Sequence, residues 1–283
     1  MMKNNIQYKN LSQQDIVDFQ CDDYGMINQL CKGDKETEQA LLSLLERIQK
    51  GVISIIGSGG KTSLIQALSL ILSKKGSVLI TTTTHIFPFS HCENILVEET
   101  DSEEAILSLM DKGFRRHPIL CIGVKGKDGK LTKAPILFST LEKHCDYILV
   151  EADGSKRLPG KAHGRNEPQI PKESQRTVLV FGASALHKPI SEVIHRVEIF
   201  HNFGLSALHK PIEEVVHRAE LFRVLFAPPL EMGVVLSEEL LAEALQKENL
   251  GDLLFLNQAD CIEKKEREEL RSFLEKYLHK PVI

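Results

Sequence analysis

Residues 57–63 read Gly-Ser-Gly-Gly-Lys-Thr-Ser, set between an apolar run and an amphipathic one. Glycines in such a turn let successive main-chain N–H groups face one anion, a helix N-terminus adds partial positive charge, and a lysine adds a full one. The chemistry this suits is the holding of a phosphate chain. Main-chain amides of Gly57, Ser58, Gly59, Gly60 and Lys61 would surround it, Lys61 would reach its terminal phosphates, and Thr62 and Ser63 would offer hydroxyls at the helix start, Thr62 as a ligand to Mg²⁺. The spacing is G-x-x-G-K-T, shorter than the usual G-x-x-x-x-G-K-[ST] and of the kind found in amino-acid ligases of the Mur type. A dinucleotide fingerprint would need a third glycine where Thr62 stands and an acidic residue closing the second strand. That strand ends instead in Thr81-Thr82-Thr83-Thr84, and the hydroxyls of Thr82 and Thr83 suit a triphosphate with Mg²⁺.

The run Asp146–Lys156, DYILVEADGSK, delivers Glu151 and Asp153 at the end of an apolar strand. Strand alternation puts both on one side. They are candidate Mg²⁺ ligands, and Asp153 is also placed to orient an attacking group. LLFLNQAD ends another strand with Asn257 and Asp260. Its spacing imitates N-K-x-D, a base-reading pattern, with Gln258 in place of the lysine. The nucleotide expected is ATP or GTP.

These residues need a scaffold that brings several strand ends to one edge. VISII, SVLITTTT, PILCIGV, DYILVEAD, TVLVFG and DLLFLN are short apolar runs with helical segments between them. Strands without polar alternation belong to a parallel sheet covered on both faces. The fold class expected is therefore α/β, a doubly wound, mostly parallel sheet of P-loop NTPase type. Residues 1–48 read as a helical N-terminal extension, and 49–283 as the nucleotide-binding domain. The polar segment 154–176 reads as a long loop at the carboxyl edge, where such folds place ligands. Asp128-Gly129 marks a hairpin tip.

With 35 basic and 39 acidic side chains, 42% apolar residues and a formal charge of −4, the composition argues against disorder and nucleic-acid binding. The start lacks the apolar core of a signal peptide, and LSLIL is far too short to span a bilayer. A cytoplasmic protein without membrane partners is the expectation. Cysteines 21, 31, 92, 121, 145 and 261 form no C-x-x-C pair and suggest neither a disulfide framework nor a zinc site. His85, His91 and Cys92 could be assembled into a metal site on paper, but a chance cluster in a loop is the simpler account.

GASALHKPISEVIHRVEIF at 182–200 recurs as GLSALHKPIEEVVHRAELF at 204–222, identical at 14 of 19 positions with an offset of 22. Two copies are too few for a solenoid, so this is a local tandem duplication at 182–222. Each copy reads as a Gly-containing turn followed by a helix that begins at proline and ends near His-Arg.

GSGGKTSLIQALS, VLITTTTHIFP, ILVEADGSKRLPGKA with NEPQIP, the ALHKPI element and LFLNQAD occur in that order from about residue 50 onward. Together they resemble the selenium-dependent hydroxylase accessory protein family, YqeC-like proteins. The resemblance implies a P-loop-like nucleotide-binding protein, an NTPase, that serves maturation of selenium-dependent molybdenum hydroxylases. Its partners would be such a hydroxylase or its molybdenum cofactor. It leaves room for a non-hydrolysing carrier of that cofactor or of a pterin phosphate, and for a small-molecule kinase or ligase. Within the matched segments Arg157, Lys161 and Glu167 are further candidate contacts. The family carries one copy of the H-R element; His217-Arg218 is expected to fill it rather than His195-Arg196. Gly160 and His163 stand where the family has an apolar residue and a proline.

Overall fold

The structure, a computed structural model, describes residues 34–155, 158–164, 166–195 and 235–283. Arg157, His217, Arg218, most of the tandem repeat and the first 33 residues of the N-terminal extension lie outside the described residues.

The expected apolar runs are all strands: β1 (Gly51–Gly57), β2 (Val78–Thr82), β5 (Ile119–Lys125), β7 (Tyr147–Glu151), β9 (Ser174–Gly182) and β11 (Leu253–Asn257). Short strands β3 (His85–Ile86), β4 (Glu93–Val97) and β6 (Leu131–Thr132) complete the main sheet, in the order β11-β9-β1-β7-β2-β5-β6-β3 with β4 also on β5. From β11 to β5, and on to β4, every pairing is parallel; β6 and β3 add antiparallel turns at one end. The β5–β6 connection is a tight hairpin, with Asp128 and Gly129 both at positive φ, as a two-residue turn between right-twisted strands requires.

Successive residues of β1 feed two different cores. Val52 and Ile56 join one apolar cluster, Ile53 and Ile55 the other. Helices α1 (Lys35–Leu45) and α2 (Lys61–Leu72) cover one face through Leu41, Leu44, Leu64, Leu68 and Ile71. Helices α3 (Glu103–Phe114), α6 (Glu238–Glu248) and α7 (Lys264–Leu278) cover the other through Ile106, Met110, Leu241, Leu270 and Leu274. Helices on both faces of a mostly parallel sheet make the doubly wound α/β arrangement. The helix starts follow local chemistry, since Asp34, Ser102 and Ser237 each accept a hydrogen bond from the first turn they cap. Helix α2 is different: Gly60 caps it without any side-chain bond. No described helix is long and apolar enough to cross a membrane.

A four-residue helix, α4 (Phe138–Leu141), precedes β7. The first copy of the repeat departs from expectation. Its helix α5 spans only Ile190–Val193, and Ile194–His195 forms a strand, β10, paired in parallel with β8 (Gly160–Lys161). The β-branched Val193-Ile194 step favours strand, and the ladder satisfies backbone groups a longer helix would have used, such as Ala162 N–H donating to His195 O at 3.0 Å.

Candidate functional site

Register builds the site. Ile55 of β1 and Thr82 of β2 both align with Glu151 of β7, so two residues further on Asp153 stands beside Gly57. The Gly57 N–H donates to Asp153 Oδ2 at 2.7 Å. Gly57, at φ 92°, has no room for a Cβ, which would meet the Val180 carbonyl. Ser58 is tied into the scaffold by its N–H to Val180 O at 2.9 Å and its hydroxyl to the Leu158 carbonyl. Gly60, at φ 127°, lies against the Asn257 side chain, and Asn257 Nδ2 donates to Gly59 O at 2.7 Å. Among the described residues no acceptor faces the main-chain amides of Gly59, Gly60, Lys61, Thr62 or Ser63. A helix start leaves such donors unsatisfied, and its dipole favours an anion there.

Lys61 opens α2 and is buried. Its Nζ donates to Gly57 O at 2.6 Å, pairs with Asp153 Oδ1, and lies 3.9 Å from Glu151 Oε1. Burial works against the Asp153 charge, but the bond from His163 and the ammonium groups of Lys61 and Lys161 outweigh it and bring the carboxyl down to about 2. Glu151 goes the other way: burial pushes it up to about 7, with Lys61 opposing and Asp153 adding. One carboxylate is thus held ionised and its neighbour sits near the midpoint of titration, the kind of split that acid–base chemistry uses.

The segment 158–167 supplies the rest. Lys161 is buried, with Nζ 2.7 Å from Glu167 Oε2, 3.4 Å from Asp153 Oδ2, and donating to the Gly154 carbonyl. His163 bridges two carboxylates, Nε2 at 2.7 Å from Asp153 Oδ2 and Nδ1 at 3.0 Å from Glu248 Oε2, while its main-chain N–H donates to Glu248 Oε1 at 2.7 Å. Burial lowers the imidazole pKa and these two carboxylates raise it, with a net upward shift. The register of β8 and β10 sets His195 of the first repeat copy opposite Lys161.

Of the residues singled out from sequence, Lys61, Glu151, Asp153 and Lys161 form one buried charge cluster, with the glycine loop on it. Thr82 is a brace: its hydroxyl donates to Glu151 O at 2.8 Å and accepts from Thr84 N–H at 2.9 Å. Thr83 Oγ1 is buried without a partner. Thr62 is exposed and Ser63 half-buried. Asn257 steadies the loop, and Asp260, exposed, lines a cleft of about 150 Å³ with Asn257, Ala40, Phe255 and Ile262. His85 and His91 do not meet; His91 is buried on Ser69, Oγ to Nε2 2.8 Å, and among the described residues no metal-ligand group includes them. His163 and Glu248 were not legible. A lone histidine in a polar loop carries no spacing signal, and its partner lies 85 residues on.

For a cation, the fitting atom is Glu151 Oε2, buried and without a hydrogen-bond partner. Asp153 is already engaged by four donors. For an anion, the fitting atoms are the unaccepted amides that open α2.

A model of the YqeC protein family matches residues 53–198, just over half of the chain. A relative from Escherichia coli (strain K12), described as uncharacterized protein YqeC, is 38% identical over 153 residues, 51% of this chain and 57% of the relative. The chain thus spans little more than half the length of the curated relative it matches. No solved structure matches.

Proposed function

The chain belongs to the YqeC protein family, and we propose that within it this protein is a Mg²⁺-dependent nucleotide-binding protein, an NTPase acting on ATP or GTP. The observation that carries the reading is Lys61: a buried ammonium at the first turn of α2, beside five unaccepted amides and against carboxylates from the neighbouring strand. Isolated buried charges are costly, so this arrangement is an ion pair waiting for an exchange of partners. A phosphate chain would take the amides of Gly59 to Ser63 and the Lys61 ammonium.

Glu151, with Thr62 at the mouth of the loop, would hold Mg²⁺. When bound, the ion neutralises charge between phosphates. Asp153, kept ionised by Lys161 and His163, holds Gly57 N–H and Lys61 in place. Holding Mg²⁺ calls for the ionised form of Glu151, so ion binding would release the proton that burial favours there. Asp260 in its cleft is the candidate base contact, and Asn257 acts through the loop. Such sites work chiefly by placement and electrostatics.

The role in maturing selenium-dependent molybdenum hydroxylases, in the cytoplasm, rests on the motif resemblance alone. Calorimetry with ATP and GTP, with and without Mg²⁺, tests the core of the reading. Lys61→Ala should abolish binding with the fold intact by circular dichroism; unchanged affinity removes it. Mg²⁺-dependent phosphate release separates an NTPase from a carrier that binds without turnover.

A further inference from the structure

On the β2 side of β7 a second cleft, of about 330 Å³, opens at Thr83. One wall is the segment entering α4, with Lys133, Ile136 and Leu137; the other is the stretch holding Gln169, Ile170 and Lys172. Two main-chain bonds fix this cleft to the carboxylate-bearing strand. Thr83 N–H donates to Glu151 O at 3.2 Å, and Gln169 N–H donates to Ala152 O at 2.8 Å. Thr83 at the cleft and Gln169 on one wall are therefore anchored within one residue of Glu151, and one buried oxygen without a partner, Thr83 Oγ1, belongs to a lining residue.

The lining is selective. Leu137 is 63% exposed and Ile170 36%, which leaves apolar surface open on both walls. Lys133 and Lys172 bring two positive charges and Glu173 one negative. A free phosphate or a metal ion would gain nothing from the apolar walls, and a cavity of this size is at the small end of those that take small organic molecules.

We propose that this cleft binds a second, small-molecule substrate with a compact apolar or aromatic body and one anionic group, its far end toward the Glu151–Asp153 edge. The body lies between Leu137 and Ile170, and the anionic group takes Lys133 or Lys172. That this is a second substrate, acting as acceptor beside a phosphate site, rests on the nucleotide reading; the ligand class follows from the lining itself. The bonds from Thr83 and Gln169 to the Glu151–Ala152 backbone would place such a molecule at the end of the carboxylate-bearing strand, where a transfer reaction needs its acceptor.

The test uses the full chain without nucleotide and 8-anilinonaphthalene-1-sulfonate, an aromatic monoanion, as probe. Fluorescence titration should show saturable binding, weakened about tenfold or more by Ile170→Asp and by Lys172→Glu. Leu96→Asp, on the exposed face of β4 where Leu96 is 55% exposed, should leave it unchanged. Absence of saturable binding, or wild-type affinity in both cleft variants, overturns the inference. Titration of the same proteins with Mg·ATP keeps the two claims apart. Probe binding that obeys the variants while ATP fails to bind leaves the cleft and removes the nucleotide reading; the converse removes the cleft alone.

Discussion

Lys61 Nζ and the Asp153 carboxylate form a buried pair, the lysine from the first residue of α2, which follows β1, and the aspartate from two residues past the neighbouring strand β7. Asp153 does not depend on Lys61 alone, because Gly57 N–H, Lys161 and His163 converge on it as well.

That redundancy sets the outcome of Lys61→Ala. Losing one partner of a buried pair costs about 3–5 kcal/mol, and with Lys161, His163 and Gly57 N–H still on Asp153 the loss should be about 3 kcal/mol by urea unfolding. Nucleotide affinity should drop at least about 100-fold, since charge-assisted contacts are removed.

Gly60→Ala should fail for a local reason. A Cβ there meets Asn257, and φ 127° is strained for any L side chain. Thermal denaturation should show a loss of about 1–3 kcal/mol, and Asn257→Ala, which removes only the bond to Gly59 O, should lose about 1 kcal/mol.

His163→Ala removes the imidazole bridge between Asp153 and Glu248, leaving Asp153 on Gly57 N–H, Lys61 and Lys161 and Glu248 on the main-chain N–H of residue 163. A loss of about 1–3 kcal/mol in chemical denaturation is expected. His163→Gln, which can still donate to one of them, should recover part of it. Equal losses in the two variants would show that the bridge contributes nothing beyond packing.

Glu151 makes stability fall as pH rises. Its carboxyl sits at about 7 in the folded chain against about 4.3 unfolded, so the folded state holds the proton longer. The contribution is complete below about pH 4 and lost as pH climbs through about 7, by roughly 3 kcal/mol. Glu151→Gln should therefore gain on the wild type between pH 5 and pH 8, measured in urea at both.

His91 has the opposite sign. Burial, with His117 adding, pushes it down to about 4, while an unfolded histidine titrates near about 6.5. The unfolded chain takes up a proton first on acidification. Stability is therefore lost as pH falls from about 6.5 to about 4, by roughly 3 kcal/mol. His91→Gln, which keeps a partner for Ser69, should show a smaller loss than wild type between pH 7 and pH 4.5.

The parallel sheet was legible because each of its central strands is an apolar run with both faces buried, a pattern with few other outcomes. Glu93–Val97 was not: its alternating burial gives a half-covered edge strand that looks like any mixed loop. The two-residue strands carry too little sequence to show a period at all. Lys61, Glu151 and Asp153 could be picked out since each closes or follows an apolar run. Their shared burial could not, because it arises from the register of β1 on β7. The glycine loop read as an open ring of amides, yet two of its N–H groups, from Gly57 and Ser58, serve the protein itself. For the repeat, a proline before an amphipathic stretch suggested a long helix, and the pairing of Ile194–His195 with Gly160–Lys161 ended it after four residues.

The lysines and carboxylates around Asp153 neutralise one another out of contact with water, on a chain whose formal charge is −4. Little field from them reaches the solvent, so a polyanion of the kind proposed would not be drawn from a distance. Its association rate should respond weakly to ionic strength, in contrast to open basic grooves whose capture slows steeply with added salt. On the nucleotide reading, arrival would be limited by the local opening of these buried ion pairs and not by diffusion.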